Sequence, residues 1–334
     1  HRDLHSFPTR RSSDLIRPTQ AEGIITSFAE VFLKGVAFLF NMRQRLVMTA
    51  VLVITAVATI RGGAETKTVP PTRLPAPASF FLATDTAYDA EAKSPVLLEL
   101  HLQRGRLTLG LRPGGHLLTA TGSYEWDVDQ PTLQTGERIV FQSGRTDLKT
   151  PTVWESMDSG QPKYDLLLGS PHLDHELLYT GNSGRAELNL AGVRLAACDM
   201  TLNSGRLQAR FGENAASCRA FTAALNSGTL DLSNLGRLGA GTYRFAVHSG
   251  LATVDFDRLK GGVNPEIGLT VDSGTVNLKL PQDHGFQTEL TVKSGLVYVA
   301  GRRYAPGRYD FSVGPATGHG LLRIEVNSAM VRIR

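Results

Sequence analysis

Apolar and polar residues alternate along the second half of the chain, and the alternation reverses phase at a recurring Ser-Gly pair. The pair stands at Ser183-Gly184, Ser204-Gly205, Ser227-Gly228, Ser249-Gly250, Ser273-Gly274 and Ser294-Gly295, at steps of 21, 23, 22, 24 and 21 residues. A degenerate copy, Ser328-Ala329, follows after 34 more. Three residues past each Ser stand Ala186, Leu207, Leu230, Ala252, Val276, Val297 and Val331, and two before it Gly181, Leu202, Leu225, Val247, Val271, Val292 and Val326. Polar columns separate these apolar ones. Period-two alternation predicts strands with one face inward. The phase reversal demands a bend, which a left-handed glycine supplies. Each repeat therefore reads as strand, corner, strand and return. A period near 22 residues fits one coil of a parallel β-helix, and stacked antiparallel hairpins would show the same period.

The pattern divides the rest of the chain. Residues 176–334 carry the repeats. Residues 95–175 form an irregular N-terminal β segment expected to cap the stack, with Gly105, Leu107 and Leu109 as a weak early repeat. Glycines 314, 318 and 320 mark an excursion at the far end, and Arg332 and Arg334 would put charge on the final, edge strand. Residues 59–94, Pro-rich from Thr66 to Ala78, read as an exposed linker.

Upstream, Met42 opens a secretory pattern. Arg43 and Arg45 precede the apolar run Leu46–Thr55, and Ala56-Val57-Ala58 is a small-residue cleavage motif, so residues 42–58 read as a signal peptide. That run is too short to span a bilayer, so no stable membrane span is expected after cleavage. The stretch FPTRRSSDL within residues 1–15 resembles a translated sequencing adapter, and residues 1–41 are set aside as non-native or upstream sequence. Without residues 1–58, 28 basic residues face 27 acidic ones, which gives no support for nucleic-acid binding.

Candidate chemistry is sparse. Cys198 and Cys218 lie 20 residues apart, close to one period, and read either as a disulfide between adjacent coils or as two buried thiols. Asp231 and Asp255 are the best candidates for a carboxylate pair of the kind glycosidases use. They lack an aromatic sugar platform nearby, and the favoured reading is an ordinary solvated polar face. His172 and His175 flank Asp174 in what reads as a polar turn. Arg185, Glu187, Arg206, Gln208 and Arg210 make an outward, mildly basic patch that reads first as cross-strand charge pairing and otherwise as a grip for an anionic glycan or a partner's carboxylates. Leu251, Leu296 and Tyr298 make an outward apolar column that reads either as an interface or as surface covered by residues 303–322. No catalytic residue, metal site or cofactor is expected.

The segments NSGRAELNLAGV, NSGTLDLSNL, DSGTVNLKL and KSGLVYVAG resemble the repeats of toast-rack and putative-adhesin domains of bacterial envelope proteins. The section VLLELHLQRGRLTLGLRPGGHLL is similar to the N-terminal part of toast-rack proteins. The resemblance covers residues 95–334. It implies a right-handed parallel β-helix without catalytic activity, and a relation to the C-terminal domain of LiaF-type proteins in envelope-stress signalling. The chain is therefore expected to be an exported, all-β, non-catalytic β-solenoid of about 22-residue coils, with a cell-envelope protein or glycan as partner. Envelope-stress sensing and polysaccharide lyase or hydrolase activity are the alternatives.

Overall fold

The computed structural model describes residues 73–85, 89, 94–144, 161–316 and 319–334. The signal peptide, the segment before it and linker residues 59–72 lie outside the described residues. The N-terminal strands are β1 (Arg73–Ala83), β2 (Val96–Leu102), β3 (Arg106–Leu111), β4 (Leu118–Trp126), β5 (Thr132–Gln134), β6 (Ile139–Ser143) and β7 (Lys163–Leu168). The central strands are β8 (Asp174–Gly181), β9 (Arg185–Leu190), β10 (Arg194–Leu202), β11 (Arg206–Phe211), β12 (Ala220–Leu225), β13 (Thr229–Ser233), β14 (Thr242–Val247), β15 (Leu251–Asp255) and β16 (Glu266–Lys279). The C-terminal strands are β17 (Phe286–Val292), β18 (Gly295–Val299), β19 (Arg302–Tyr304), β20 (Gly307–Val313) and β21 (Gly320–Ile333). Together they form one all-β, solenoid-like sheet.

The central strands make two parallel ladders that meet at the Ser-Gly corners. Before the corner, β8, β10, β12, β14 and the first half of β16 align Leu177, Cys198, Phe221, Tyr243 and Ile267. After it, β9, β11, β13, β15 and the second half of β16 align Ala186, Leu207, Leu230, Ala252 and Val276. Every one of these ten residues is buried. The phase reversal is visible in burial. Tyr179 and Gly181 point inward before the corner, and Ala186, Leu188 and Leu190 after it. Burial of this apolar column is the main stabilising term, and no single rung can supply it alone.

The corner residues are locked from rung to rung. The six Ser-Gly glycines sit at φ between +90° and +103°, and Gly105 joins them at +91°. A Cβ on Gly184, Gly205, Gly228, Gly250 or Gly274 would collide with the carbonyl oxygen of the glycine one rung below. Ser183 Oγ donates to Gln103 O at 2.8 Å, Ser204 Oγ to Asn182 O at 2.5 Å and Ser273 Oγ to His248 O at 2.7 Å. The preceding amides form a second ladder: Asn182 donates to Gln103, Asn203 to Asn182 and Asn226 to Asn203, each at 2.6 Å. On the return side, buried Asn214 holds Leu195 N and O, Ala216 N and Leu238 O, tying three rungs together.

Both ends depart from chain order. At the N-terminal end, β2 and β3 are an interior rung. They pair in parallel with β8 and β9 on one side and with β6 and β7 on the other. The early repeat at Gly105 thus stacks directly on Gly184, and the capping layers come from β4, β5, β6 and β7. There β4 runs antiparallel to β7, β1 to β4, and β5 to β6. Buried Asp129 pins this layer: Arg104 pairs with its carboxylate and Tyr164 Oη donates to its carbonyl at 2.9 Å.

Two expectations change here. Part of the linker segment is strand β1, because an edge strand needs only one side of its ladder. Pro75 and Pro77, which lack N–H donors, fall where its register shifts. The final strand is also not an edge. β21 lies between β16 and the β17–β18 layer, with Val331 between Val276 and Val297. Arg332 and Arg334 therefore do not guard an edge. The excursion folds as two antiparallel strands, β19 on β18 and β20 on β17, and these form the outer layer. At that end Tyr304 stacks on Phe311 at 4.9 Å and meets Tyr309 edge-on at 5.0 Å.

Candidate binding face

The basic patch forms on the outer face of the ladder after the corner. Parallel register places Arg185 beside Arg206, Glu187 beside Gln208 and Asn189 beside Arg210. The structure adds a rung that the Ser-Gly pattern missed. β3 sets Arg106 beside Arg185 and Thr108 beside Glu187, and β7 sets Lys163 beside Arg106 and Asp165 beside Thr108. Aligning on Gly105 alone, without requiring the Ser, would have found Arg106. Lys163 was hidden by the long connection between β3 and β7.

The carboxylates of this face are tied down. Glu187 receives Arg106 Nη2 at 3.1 and 3.2 Å and Arg185 Nε at 2.8 Å. Arg185 also reaches Gln208 Oε1 at 3.2 Å, and Gln208 in turn donates to Asp231 at 3.3 Å. Thr108 Oγ1 donates to Asp165 at 2.6 Å. Among the described residues, the side chains of Lys163, Arg206 and Arg210 have no ion-pair partner. An open groove of about 430 Å³ crosses these rungs, lined among others by Thr108, Glu187, Gln208, Arg210, Asp231 and Ser233.

The carboxylate pair is split between two networks. Asp231 serves Gln208, whereas Asp255 takes Lys279 Nζ at 3.0 Å and the Asp257 backbone N–H at 2.7 Å. Its neighbour Asp257 is held below the usual carboxylate range by the Arg237 guanidinium, 2.7 Å away. His175 does not sit in a polar turn. It occupies an inward position of β8, 2% exposed, and burial lowers its pKa so that the ring stays neutral. Asp174 faces out and pairs with Arg194 at 2.6 Å.

The outward apolar column is interrupted. Thr275 of β16 follows Leu251, and β21 then sets apolar Met330 between Thr275 and Leu296. Leu251 is 40% exposed, while Leu296 and Tyr298 are half-buried and β19 runs alongside Tyr298. The two cysteines are free, buried thiols. The register explains why no disulfide joins them: the residue beside Cys198 on the next rung is Phe221, three positions past Cys218. Burial pushes the Cys218 thiol up to about 11 and raises Cys198 well above its ordinary value.

Among the described residues, no helix is long and apolar enough to cross a membrane. No protein-family model matches the chain, and no curated protein does. Among solved structures, a putative cell adhesion protein from Clostridium sporogenes is similar over 77% of this chain and 99% of its own, at 14% identity and a TM-score of 0.39.

Proposed function

We propose that this chain is an exported, non-catalytic interaction module of adhesin type, built as a right-handed parallel β-helix of about 22-residue coils. The reading is that it presents the outer face of the ladder after the corner to a partner in the cell envelope. The observation that carries it is the face over β3, β9 and β11. There a regular scaffold holds Arg206 and Arg210 without ion-pair partners, Arg210 lining a groove, while Glu187 and Asp231 are already engaged. A surface with cations available and carboxylates occupied is suited to gripping an anionic partner rather than to proton transfer, which needs a free acid or base. Export rests on the secretory pattern of residues 42–58.

The test is retention of purified residues 65–334 on isolated bacterial envelope material, with mass spectrometry of bound and released fractions. Retention without shortened products supports the module. Release of cleaved polysaccharide would overturn it in favour of a lyase or hydrolase, and absence of retention would overturn the binding role itself.

A further inference from the structure

Four cations stand on four consecutive rungs of the same outward column. Lys163 of β7 is beside Arg106 of β3, which is beside Arg185 of β9, which is beside Arg206 of β11. All four are exposed. Neighbouring strands are about 4.8 Å apart, so the row runs about 14 Å along the stack with near-constant spacing. It ends sharply, with Ser123 beyond Lys163 and Thr229 beyond Arg206.

The flanks narrow the choice of partner. On one side the next column holds Asp165, Glu187 and, further along, Asp231. These would repel a broad anionic surface such as a bilayer or a nucleic-acid duplex. On the other side lies the corner amide ladder of Gln103, Asn182, Asn203 and Asn226. Each Asn uses one of its two N–H donors for its neighbour, and the second is available to a hydroxyl. A row of four cations, the middle two of which (Arg106 and Arg185) share Glu187, between an acidic column and a row of amides fits one narrow chain bearing a negative charge and hydroxyls on each unit.

We propose that Lys163, Arg106, Arg185 and Arg206 form a docking track for a linear, carboxylate-bearing polysaccharide lying along the stack axis. This rests on the interaction-module reading and names the ligand class for the same face.

The experiment measures binding of the purified chain to polygalacturonate and to size-fractionated oligogalacturonates, with neutral dextran and dextran sulfate as comparisons. It is repeated with Arg206→Gln, Lys163→Gln and the double Arg106→Gln/Arg185→Gln variant. Arg244→Gln, an exposed position on the other ladder, is the control, and circular dichroism verifies each fold. Affinity is expected to rise with oligomer length until the chain spans the track and then to flatten, and to fall as salt is added. Each single variant should weaken binding about five- to tenfold, while Arg244→Gln leaves it unchanged. If polygalacturonate is not bound but envelope material still is, the track is wrong and the module reading survives. If dextran sulfate binds equally well and the track variants bind like the parent, the track is likewise overturned. Failure on both polygalacturonate and envelope material would overturn both readings.

Discussion

The middle of the molecule and its two ends are built from the same repeat but assembled by different rules. From β8 to β16 each rung pairs with the rung that follows it in sequence, always parallel. At the ends the order is exchanged. β2–β3 sits inside β6–β7 and β21 inside β17–β18, and the outer layers are closed by the antiparallel strands β1, β4, β5, β19 and β20. The difference teaches that a repeat specifies what a rung looks like, not which rung it will touch. Val276 meets Val331, 55 residues away, through the same contact that joins Ala252 to Val276.

Truncation should separate these rules most strongly. Ending the chain at residue 319 removes β21, which has partners on both sides, so the C-terminal layers should lose their cooperative thermal transition by circular dichroism. Starting it at residue 84 removes β1, which pairs only with β4, and should lower Tm while leaving the transition cooperative. Equal effects would mean that the inserted rung has no special role. Next in size, Gly205→Ala should cost at least about 3 kcal/mol in urea unfolding, since left-handed strain combines with a backbone collision. Gly114→Ala, at a similar φ of +100° but with open space around it, should cost only about 1–2 kcal/mol. Asn214→Ala should follow at about 2–3 kcal/mol, because it strands buried backbone donors and acceptors on three rungs.

The smallest effect is on pH dependence. Burial lowers the His175 pKa, so the unfolded chain takes up a proton before the folded one does. The contribution of the neutral ring is complete above the unfolded value of about 6.5 and is lost as pH falls through the window below it. Thermal melts between pH 7.5 and 5.5 should show Tm falling, with a shallower fall in His175→Phe. An identical slope in the variant would remove His175 as the cause.

Legibility follows the same division. The body was readable because its contacts join neighbouring repeats, so one Ser-Gly period carries the register of both ladders. The ends were not, because Val326 and Val331 would suit any rung interface, and nothing local distinguishes an edge from a slot between β16 and β18. The binding face divided likewise. Arg185, Arg206 and Arg210 lie on consecutive Ser-Gly rungs and were visible. Arg106 follows Arg104-Gly105, which lacks the Ser, and Lys163 reaches the same column only through a pairing that spans more than fifty residues. In the outward column Leu296 meets Met330 rather than Thr275, because the order of rungs, not their sequence, decides which side chains are neighbours.

The antiparallel outer layers also govern how such a molecule could change size. At each end the parallel series stops at strands that run antiparallel to it. Within the body, by contrast, every rung presents to its neighbour the same glycine corner and the same apolar column. Duplicating one coil would therefore lengthen the protein from within by a fixed increment of about 4.8 Å, leaving both closures untouched. Its length is a digital quantity, adjustable in whole units by internal duplication.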